Sequence, residues 1–238
     1  MEKVRETDCQ VKSYERLWTG RPVADFHSKC AHIQVLDTVD FGRTIFLDGE
    51  IQSSAADQEF YHETLVMPAF RDGPKHNMLI VGGGECATLA QVLKDPDVDR
   101  VTMVDYDGEF VAWCKANLED WHHNSWTDKR VTMLHEDIYK YIETCTDTFD
   151  AIIVDMTDIS ADFSEEEELA LNKLISGLKS VLAPGGTIRM YVGMWIRHKT
   201  SGMQRALNLL KLFGRVEDQK VYIPTFGTGE SLFATIRC

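Results

Sequence analysis

The sequence predicts an α/β fold, a Rossmann-like sheet of the class I methyltransferase type with helices on both faces. From Asn77 onward, short apolar runs alternate with amphipathic stretches, which is typical of parallel strands joined by crossover helices. The first apolar run, MLIV at 78–81, leads directly into Gly82-Gly83-Gly84, as expected where a buried strand turns into a helix. A small β-meander precedes this core and is predicted to form a cap.

The remaining elements of the core follow from the same alternation of apolar runs and amphipathic stretches. The other predicted strands are 101–104, 131–134, 151–154, 187–192, 216–223 and 231–237, and the predicted helices are 87–94, 109–118, 139–144, 165–182 and 204–214. The last two strands flank a single loop, so one strand of the sheet is expected to run antiparallel.

The segment before the core is rich in β-forming residues interrupted by turn residues. In 32–54, β-rich runs are broken by DFG at 40–42 and by Asp48-Gly49, which predicts a meander. A helix is expected over 57–71, kinked or ended by Pro68. We therefore predict a β-strand cap at 1–56 and a Rossmann-like catalytic domain at 57–238.

Composition narrows the classes of partner. The chain carries 25 lysines and arginines against 38 acidic residues, a net charge of −13, so nucleic acid would be repelled and small cations are the natural ligands. An acidic surface kept for solubility explains the charge equally well. The cysteines and histidines lack the spacing of a zinc site, so no metal is expected.

The cellular location is predicted from two further features. No apolar run approaches the roughly 20 residues of a membrane helix, and the first ten residues are too polar for a secretory signal. We expect a cytoplasmic protein that does not bind membranes.

Acidic residues follow four successive predicted strands, at the sheet edge where such folds bind ligands. They are Glu85 after the first strand, Asp105 and Asp107 after the second, Asp137 after the third, and Asp155 and Asp158 after the fourth. This arrangement predicts a cleft that binds a cation.

The turn after the first strand predicts a nucleoside site. GGGECA at 82–87 satisfies G-x-G-x-x-G/A, and Asp105 lies 21 positions after Gly84, close to the roughly 20 expected for a carboxylate that binds ribose hydroxyls. Glu85 would repel the pyrophosphate of a dinucleotide and attract a sulfonium or ammonium group. Alternatively, Glu85 is a first-turn acid stabilised by the helix dipole. Asp137 is expected to contact adenine or to cap a helix, and these roles do not exclude each other.

Asp155 and Asp158 suit the transfer of an alkyl group to an amine. An aliphatic amine is protonated at neutral pH, because its pKa is near that of lysine, about 10.4. One carboxylate can hold the ammonium ion while the other accepts its proton or orients the free lone pair. A sulfonium donor needs no further activation.

Several motifs, in the right order, resemble those of the polyamine aminopropyltransferases, the spermidine and thermospermine synthase family. FGRTIFLDGEIQ at 41–52 and DQEFYHE at 57–63 are similar to the family's cap signature and its D-E-x-x-Y-[HQ]-E segment. GGGE at 82–85, VDYD at 104–107 and FDAIIVDMTD at 149–158 resemble its donor-binding and catalytic motifs. The family moves an aminopropyl group from decarboxylated S-adenosylmethionine to an amine and releases methylthioadenosine.

The resemblance implies a role for each matching residue. It implies Asp155 as the catalytic acid; Tyr61, His62, Asp158 and Phe226 as substrate-binding residues; and Gln52, Gly82, Gly83, Gly84, Glu85, Asp105, Asp137 and Ile138 as donor-binding residues. It also implies a homodimer or homotetramer. Packing between cap and core is the alternative for Tyr61 and His62, and a place in the core or pocket wall is the alternative for Phe226.

The departures from the family pattern lie on the acceptor side. ISADF at 159–163 replaces the usual D-P-x-G-P-A continuation, Phe226 replaces a tyrosine, and RMYVGMW at 189–195 replaces a Q/E-rich turn. The acceptor amine is therefore left open. So are two other functions: an amine N-methyltransferase that uses S-adenosylmethionine, and an inactive paralogue that binds a nucleoside or serves as a partner subunit.

Overall fold

The structure is a computed structural model that describes residues 1–7, 15–156, 159–227 and 229–238. It contains a five-stranded antiparallel sheet followed by a seven-stranded mixed sheet with flanking helices. The predicted α/β fold with an N-terminal β-meander is confirmed. Within the described ranges, no helix is long and apolar enough to span a membrane.

The first sheet is a meander in which each strand pairs with the next. Its strands are β1 (Glu2–Thr7), β2 (Glu15–His27), β3 (His32–Thr38), β4 (Gly42–Leu47) and β5 (Glu50–Ser54). Asp48 and Gly49 form the two-residue hairpin between β4 and β5, and both have positive φ, +51° and +81°. This is the conformation for which an Asp-Gly pair is favoured. The sequence did not predict β1 and β2, and the domain boundary after residue 56 stays a prediction.

The second sheet has the strand order β11-β12-β10-β9-β6-β7-β8. Its strands are β6 (Asn77–Gly82), β7 (Arg100–Val104), β8 (Val131–Leu134), β9 (Phe149–Asp155), β10 (Leu182–Trp195), β11 (Arg215–Val221) and β12 (Glu230–Arg237). Strand β12 runs antiparallel to both of its neighbours, β10 and β11, as the terminal strand pair predicted. The chain order reverses beside β6, which pairs with both β7 and β9, and this switch point opens a crevice at the carboxyl ends of the strands.

The helices cover both faces of this sheet. They are α1 (Gln58–Val66), α2 (Ala87–Val92), α3 (Gly108–Asn117), α4 (Glu119–His122), α5 (Ile138–Thr144), α6 (Glu165–Ser180) and α7 (Ser201–Leu210). Pro68 follows α1 in a 3-10 turn, Met67–Phe70, so the expected break is observed. Ser164 and Glu167 form a capping box at the start of α6.

The cap packs over the edge of the crevice. Ile33, Val35 and Ile45 of the cap are fully buried in one cluster with Phe110 and Trp121 of the core. Burial of apolar surface therefore holds the inner face of the first sheet against helices α3 and α4 of the core. This contact closes one side of the crevice.

Candidate active site

A cavity of about 650 Å³ lies between the cap and the carboxyl ends of β6, β7 and β9. Most of the predicted site residues line it: Gln52, Tyr61, Gly82, Gly83, Gly84, Glu85, Asp105, Ile138, Asp155 and Phe226. Two predicted residues, His62 and Asp137, do not lie on the wall, and Asp158 is outside the described residues. The structure thus brings residues from five separate motifs together.

The glycine turn after β6 lets backbone segments approach closely. Gly82 and Gly83 have φ of +81° and +76°, which favours glycine at both positions. A Cβ atom on Gly82 would lie 2.2 Å from the carbonyl oxygen of Asp155. A Cβ atom on Gly84 would lie 2.9 Å from the ring of Phe110 and 3.1 Å from Asp105 Oδ2. The turn therefore leaves backbone without side chains between Asp155 and Asp105.

Asp105 and Asp107, two residues apart, have different environments. The Oδ1 atom of Asp105 accepts the Asp107 amide at 2.8 Å. Burial raises the pKa of Asp105 to about 6, assisted by the charges of Asp107, Asp155 and Glu85 and opposed by the hydrogen bond from the Asp107 amide. Asp107 instead caps α3, accepting the Phe110 amide, and also accepts the hydroxyl of Ser28 from the cap at 2.5 Å.

Asp155, at the end of β9, is held by two hydroxyl groups. Tyr61 Oη donates to Oδ1 at 3.2 Å, and Thr88 Oγ1 donates to Oδ2. Thr88 lies in the first turn of α2 and is fully buried. Sequence reasoning missed Thr88, because a threonine at a helix start carries no signal of its own.

His62 lies behind the cavity wall, only 1% exposed. Its Nδ1 atom is 2.6 Å from the carbonyl oxygen of Gln58, and its Nε2 atom is 3.5 Å from Glu85 and 3.8 Å from Asp155. A carbonyl only accepts hydrogen bonds, so Nδ1 carries a proton. Burial lowers the pKa of His62, but the hydrogen bond to Glu85 and the charges of Asp155 and Glu85 outweigh it, so the pKa is raised. The raised pKa and the position of His62 between two carboxylates favour its imidazolium form.

Three aromatic rings form a wall beside Asp155. Tyr61 lies 5.9 Å from Tyr191 and 5.7 Å from Phe226 between ring centroids, and Tyr191 lies 6.1 Å from Phe226. Aromatic faces attract cations and pack against methylene chains. Tyr191 was not predicted, because its position inside the apolar strand β10 has the pattern of a core residue.

The structure bears on two alternatives raised by the sequence, of which adenine contact by Asp137 stays a prediction. Asp137 caps α5, its Oδ1 accepting the Tyr139 amide at 2.8 Å, while its neighbours Glu136 and Ile138 line the cavity. Glu136 was also missed by sequence reasoning. Glu85 lies before the N-cap residue of α2, so it is not a first-turn acid of that helix.

The cavity carries a dense negative charge. The carboxylates that line it are Asp48, Glu50, Glu85, Asp105, Asp107, Glu136 and Asp155. The described residues of the wall include no lysine, arginine or histidine. In a partly enclosed space such charges act together, so a ligand with several positive charges is strongly favoured.

The described residues contain no group of three or more His, Cys, Asp or Glu side chains placed to hold a metal ion.

Comparisons with known proteins agree with this geometry. The model of the spermine/spermidine synthase domain matches residues 58–237. Polyamine aminopropyltransferase 2 of Pseudomonas aeruginosa is 35% identical over 199 residues, 82% of this chain and 56% of that protein. Polyamine aminopropyltransferase 1 of Hyperthermus butylicus is 35% identical over 208 residues, 84% of this chain and 69% of that protein.

Solved structures support the fold. A spermidine synthase from Thermotoga maritima aligns with a TM-score of 0.85 over 99% of this chain and 79% of its own, at 18% identity. A spermidine synthase in complex with the transition state analogue AdoDATO aligns with a TM-score of 0.87 over 99% of this chain and 80% of its own, also at 18% identity. The family model covers most of the chain and the sequence relatives exceed 30% identity, so this chain belongs to the spermine/spermidine synthase family.

Proposed function

We propose that this protein transfers an aminopropyl group from decarboxylated S-adenosylmethionine to a di- or polyamine and releases methylthioadenosine. The observation that carries the proposal is a cavity lined by seven carboxylates, with Asp155 beside an aromatic wall. The names of the similar proteins support it. The chain spans only 56% of the length of the Pseudomonas aeruginosa relative, so the activity of the whole protein is inferred from the site.

The donor would lie along the glycine turn. We assign the ribose hydroxyls to Asp105, whose Oδ2 faces the bare backbone at Gly84. Glu85, near His62, would hold the ammonium end of the aminopropyl chain. Gln52 and Ile138 line the nucleoside side of the cavity.

The acceptor would enter along the aromatic wall as an ammonium ion. The aromatic faces and the carboxylates hold its charge, and Asp155 accepts a proton from the attacking nitrogen. The freed lone pair then forms a bond to the carbon beside the sulfonium sulfur. The carbon–sulfur bond breaks, its electron pair stays on sulfur, and a secondary ammonium ion and a neutral thioether result. Tyr61 and Thr88 orient Asp155 for this step through their hydroxyl groups.

Product analysis tests the proposal. The purified protein is incubated with decarboxylated or intact S-adenosylmethionine and a panel of di- and triamines, and the products are identified by mass spectrometry. We expect an amine lengthened by one aminopropyl unit together with methylthioadenosine. A methylated amine as the only product would replace the proposal with an N-methyltransferase. Binding of methylthioadenosine without turnover of any amine would favour an inactive paralogue.

We also propose that the protein assembles as a homodimer or homotetramer and acts in the cytoplasm. Sedimentation equilibrium tests the assembly, and a monomer at micromolar concentration would contradict it. Fractionation of cells tests the location.

A further inference from the structure

Asp57 occupies the N-cap position of α1 but does not cap that helix. An aspartate at this position ordinarily accepts a backbone N–H of the first turn. Here no side-chain capping bond is present, and the residue is only 7% exposed. A buried carboxylate must be hydrogen-bonded, so its acceptors have to be used elsewhere.

The carboxylate of Asp57 instead joins the cap, α1 and a distant turn. Its Oδ1 atom accepts the hydroxyl of Ser54 at 2.8 Å. Its Oδ2 atom accepts both the amide and the hydroxyl of Thr225, at 2.8 and 2.5 Å. Ser54 and Thr225 are fully buried. Hydrogen bonds to a carboxylate are stronger than those between neutral groups, so this is a strong junction.

The turn that contains Thr225 is also held from its other side. Thr225 is the middle residue of the 3-10 turn Pro224–Phe226, and its carbonyl accepts a hydrogen bond from Arg16 Nη1 at 2.7 Å. Arg16 is fixed in turn by Glu6, at 2.8 Å, and lies over the ring of Trp18. The amide and the hydroxyl of Thr225 therefore donate to Asp57, and its carbonyl accepts from Arg16, so all three groups are bound to residues of the segment 1–57.

The same junction connects two rings of the aromatic wall. Phe226 follows Thr225 directly, and Tyr61 lies one helical turn after Asp57, its amide donating to the Asp57 carbonyl at 2.9 Å. Asp57 thus ties the turn that carries Phe226 to the helix that carries Tyr61. The two rings lie 5.7 Å apart between centroids and both line the cavity beside Asp155.

We propose that Asp57 and Thr225 form a brace that sets the position of Phe226 against Tyr61 and so determines which amines fit the acceptor side of the cavity. The inference deepens the proposed function and rests on it for the identity of the ligand. Neither residue of the brace lines the cavity, so both are positioning residues. The glycine turn and Asp105 belong to other elements than the brace, so we expect the brace to act mainly on the amine.

Two substitutions at one position, with a matched control, test the brace. Thr225→Val keeps the shape of the side chain and removes its hydroxyl, whereas Thr225→Ser keeps the hydroxyl. Thr44→Val is the control, because Thr44 is equally buried in the cap and its hydroxyl bonds remain within the β3–β4 hairpin. Three readouts are compared: KM and kcat for a series of diamines and triamines, calorimetric affinity for methylthioadenosine, and the nuclear Overhauser contact between the rings of Tyr61 and Phe226.

We expect Thr225→Val to raise the amine KM about tenfold, the size of change that loss of one hydrogen bond produces. The ranking of the amines should change, affinity for methylthioadenosine should stay within about twofold, and the contact between the rings should weaken. In both Thr225→Ser and Thr44→Val, the amine KM, the affinity for methylthioadenosine and the ring contact should keep the wild-type values.

Two results would overturn the brace. One is a Thr225→Val protein that keeps both the ring contact and the amine KM of the Thr44→Val control. The other is an equal loss of methylthioadenosine affinity, which would make the junction a general support of the fold. If the wild-type protein binds methylthioadenosine and turns over no amine, the proposed function fails. The nuclear Overhauser contact between Tyr61 and Phe226 in the three variants then tests by itself whether the brace positions the two rings.

Discussion

At the scale of single residues, the site depends on carboxylates placed in unlike surroundings. Asp155 receives two hydroxyl hydrogen bonds and faces His62, whereas Asp105 is buried among other acids. Asp107 is occupied by a helix amide and a cap hydroxyl. These environments support the proposal that Asp155 accepts the proton of the amine and that Asp105 binds the ribose hydroxyls of the donor.

Asp155→Asn tests the first assignment. An amide cannot accept the proton of the ammonium ion, so kcat should fall at least about 100-fold. The affinity for methylthioadenosine should change by less than about threefold, because the glycine turn and Asp105 remain. Steady-state kinetics and calorimetry measure the two effects. Loss of nucleoside binding together with unchanged kcat would contradict the assignment.

Asp105→Asn tests the second assignment, in which Asp105 binds the ribose of the donor. The folded state raises the pKa of Asp105 from 3.8 to about 6, so the buried charge destabilises the fold above pH 6 and this penalty disappears as pH falls toward 4. The variant should therefore be more stable than wild type by about 1–3 kcal/mol at pH 8 and by less at pH 5. Urea denaturation measures this difference. The affinity of the Asp105→Asn variant for methylthioadenosine should fall, and an unchanged affinity would refute the assignment of Asp105 to the ribose.

His62 is expected to carry a positive charge while the enzyme works. Its pKa is raised, so the stabilisation from its imidazolium form is complete below pH 6.5 and is lost as pH rises through the folded-state value. Activity should decline as the pH rises through the folded-state pKa of His62. In His62→Gln, whose amide does not titrate, this decline should be absent, while His62→Ala should be less active at every pH. Two ring N–H signals in a nitrogen-15 spectrum would identify the imidazolium, and a single one at pH 6 would contradict it.

At the scale of elements, we propose that the donor binds at the β6–α2 connection. Gly84→Ala should leave the fold intact, because the φ of Gly84 is not positive, but its Cβ would press on Phe110 and Asp105. Affinity for methylthioadenosine should drop about tenfold or more, a loss of about 1.4 kcal/mol. Gly177→Ala in α6 is the control: its Cβ meets only Ile142, at ordinary contact distance, and should not alter binding. Equal affinities in the two variants would argue against a donor at this turn.

Helix α1 is fixed at both ends by residues far away in the sequence. Asp57 ties its start to Thr225, and Arg189 of β10 donates to the carbonyls of Thr64 and Leu65 near its end. Burial lowers the pKa of Arg189 to about 9, with a further contribution from Arg71. This cost is offset because the side chain donates hydrogen bonds to carbonyls in the last turn of the helix. The helix that carries Tyr61 is thus held in place against the sheet.

At the scale of the whole molecule, the net charge of the protein and the carboxylates of the cavity both favour the binding of cations. The net charge is −13, and seven carboxylates line the site. Raising the salt concentration from about 0.05 to 0.5 M shortens the Debye length from about 14 to 4 Å. The amine KM should therefore rise several-fold, while affinity for the uncharged methylthioadenosine should barely change. A salt-independent KM would mean that aromatic contacts, not charge, dominate amine binding.

The sequence by itself determined the second sheet, the β3–β5 part of the cap and the acidic edge at the carboxyl ends of the strands. Alternating runs placed β6 to β12, and the Asp-Gly pair at 48–49 placed a hairpin, because these signals depend on neighbours only a few positions apart. Acids after four strands indicated the cleft, since parallel strands end at one edge of a sheet. Glu85, Asp105 and Asp155 were found in this way.

Only the tertiary structure decided how these residues are supported. Thr88, Tyr191 and Glu136 reach the site through the fold and have no distinctive spacing in the sequence. His62, which the family resemblance implied as a substrate-binding residue, lies behind the cavity wall between two carboxylates. Asp57 and Thr225 are separated by 168 positions, and no local periodicity relates residues so far apart. Their contact exists because the cap and the last loop are packed together, which is a property of the whole chain and not of any segment.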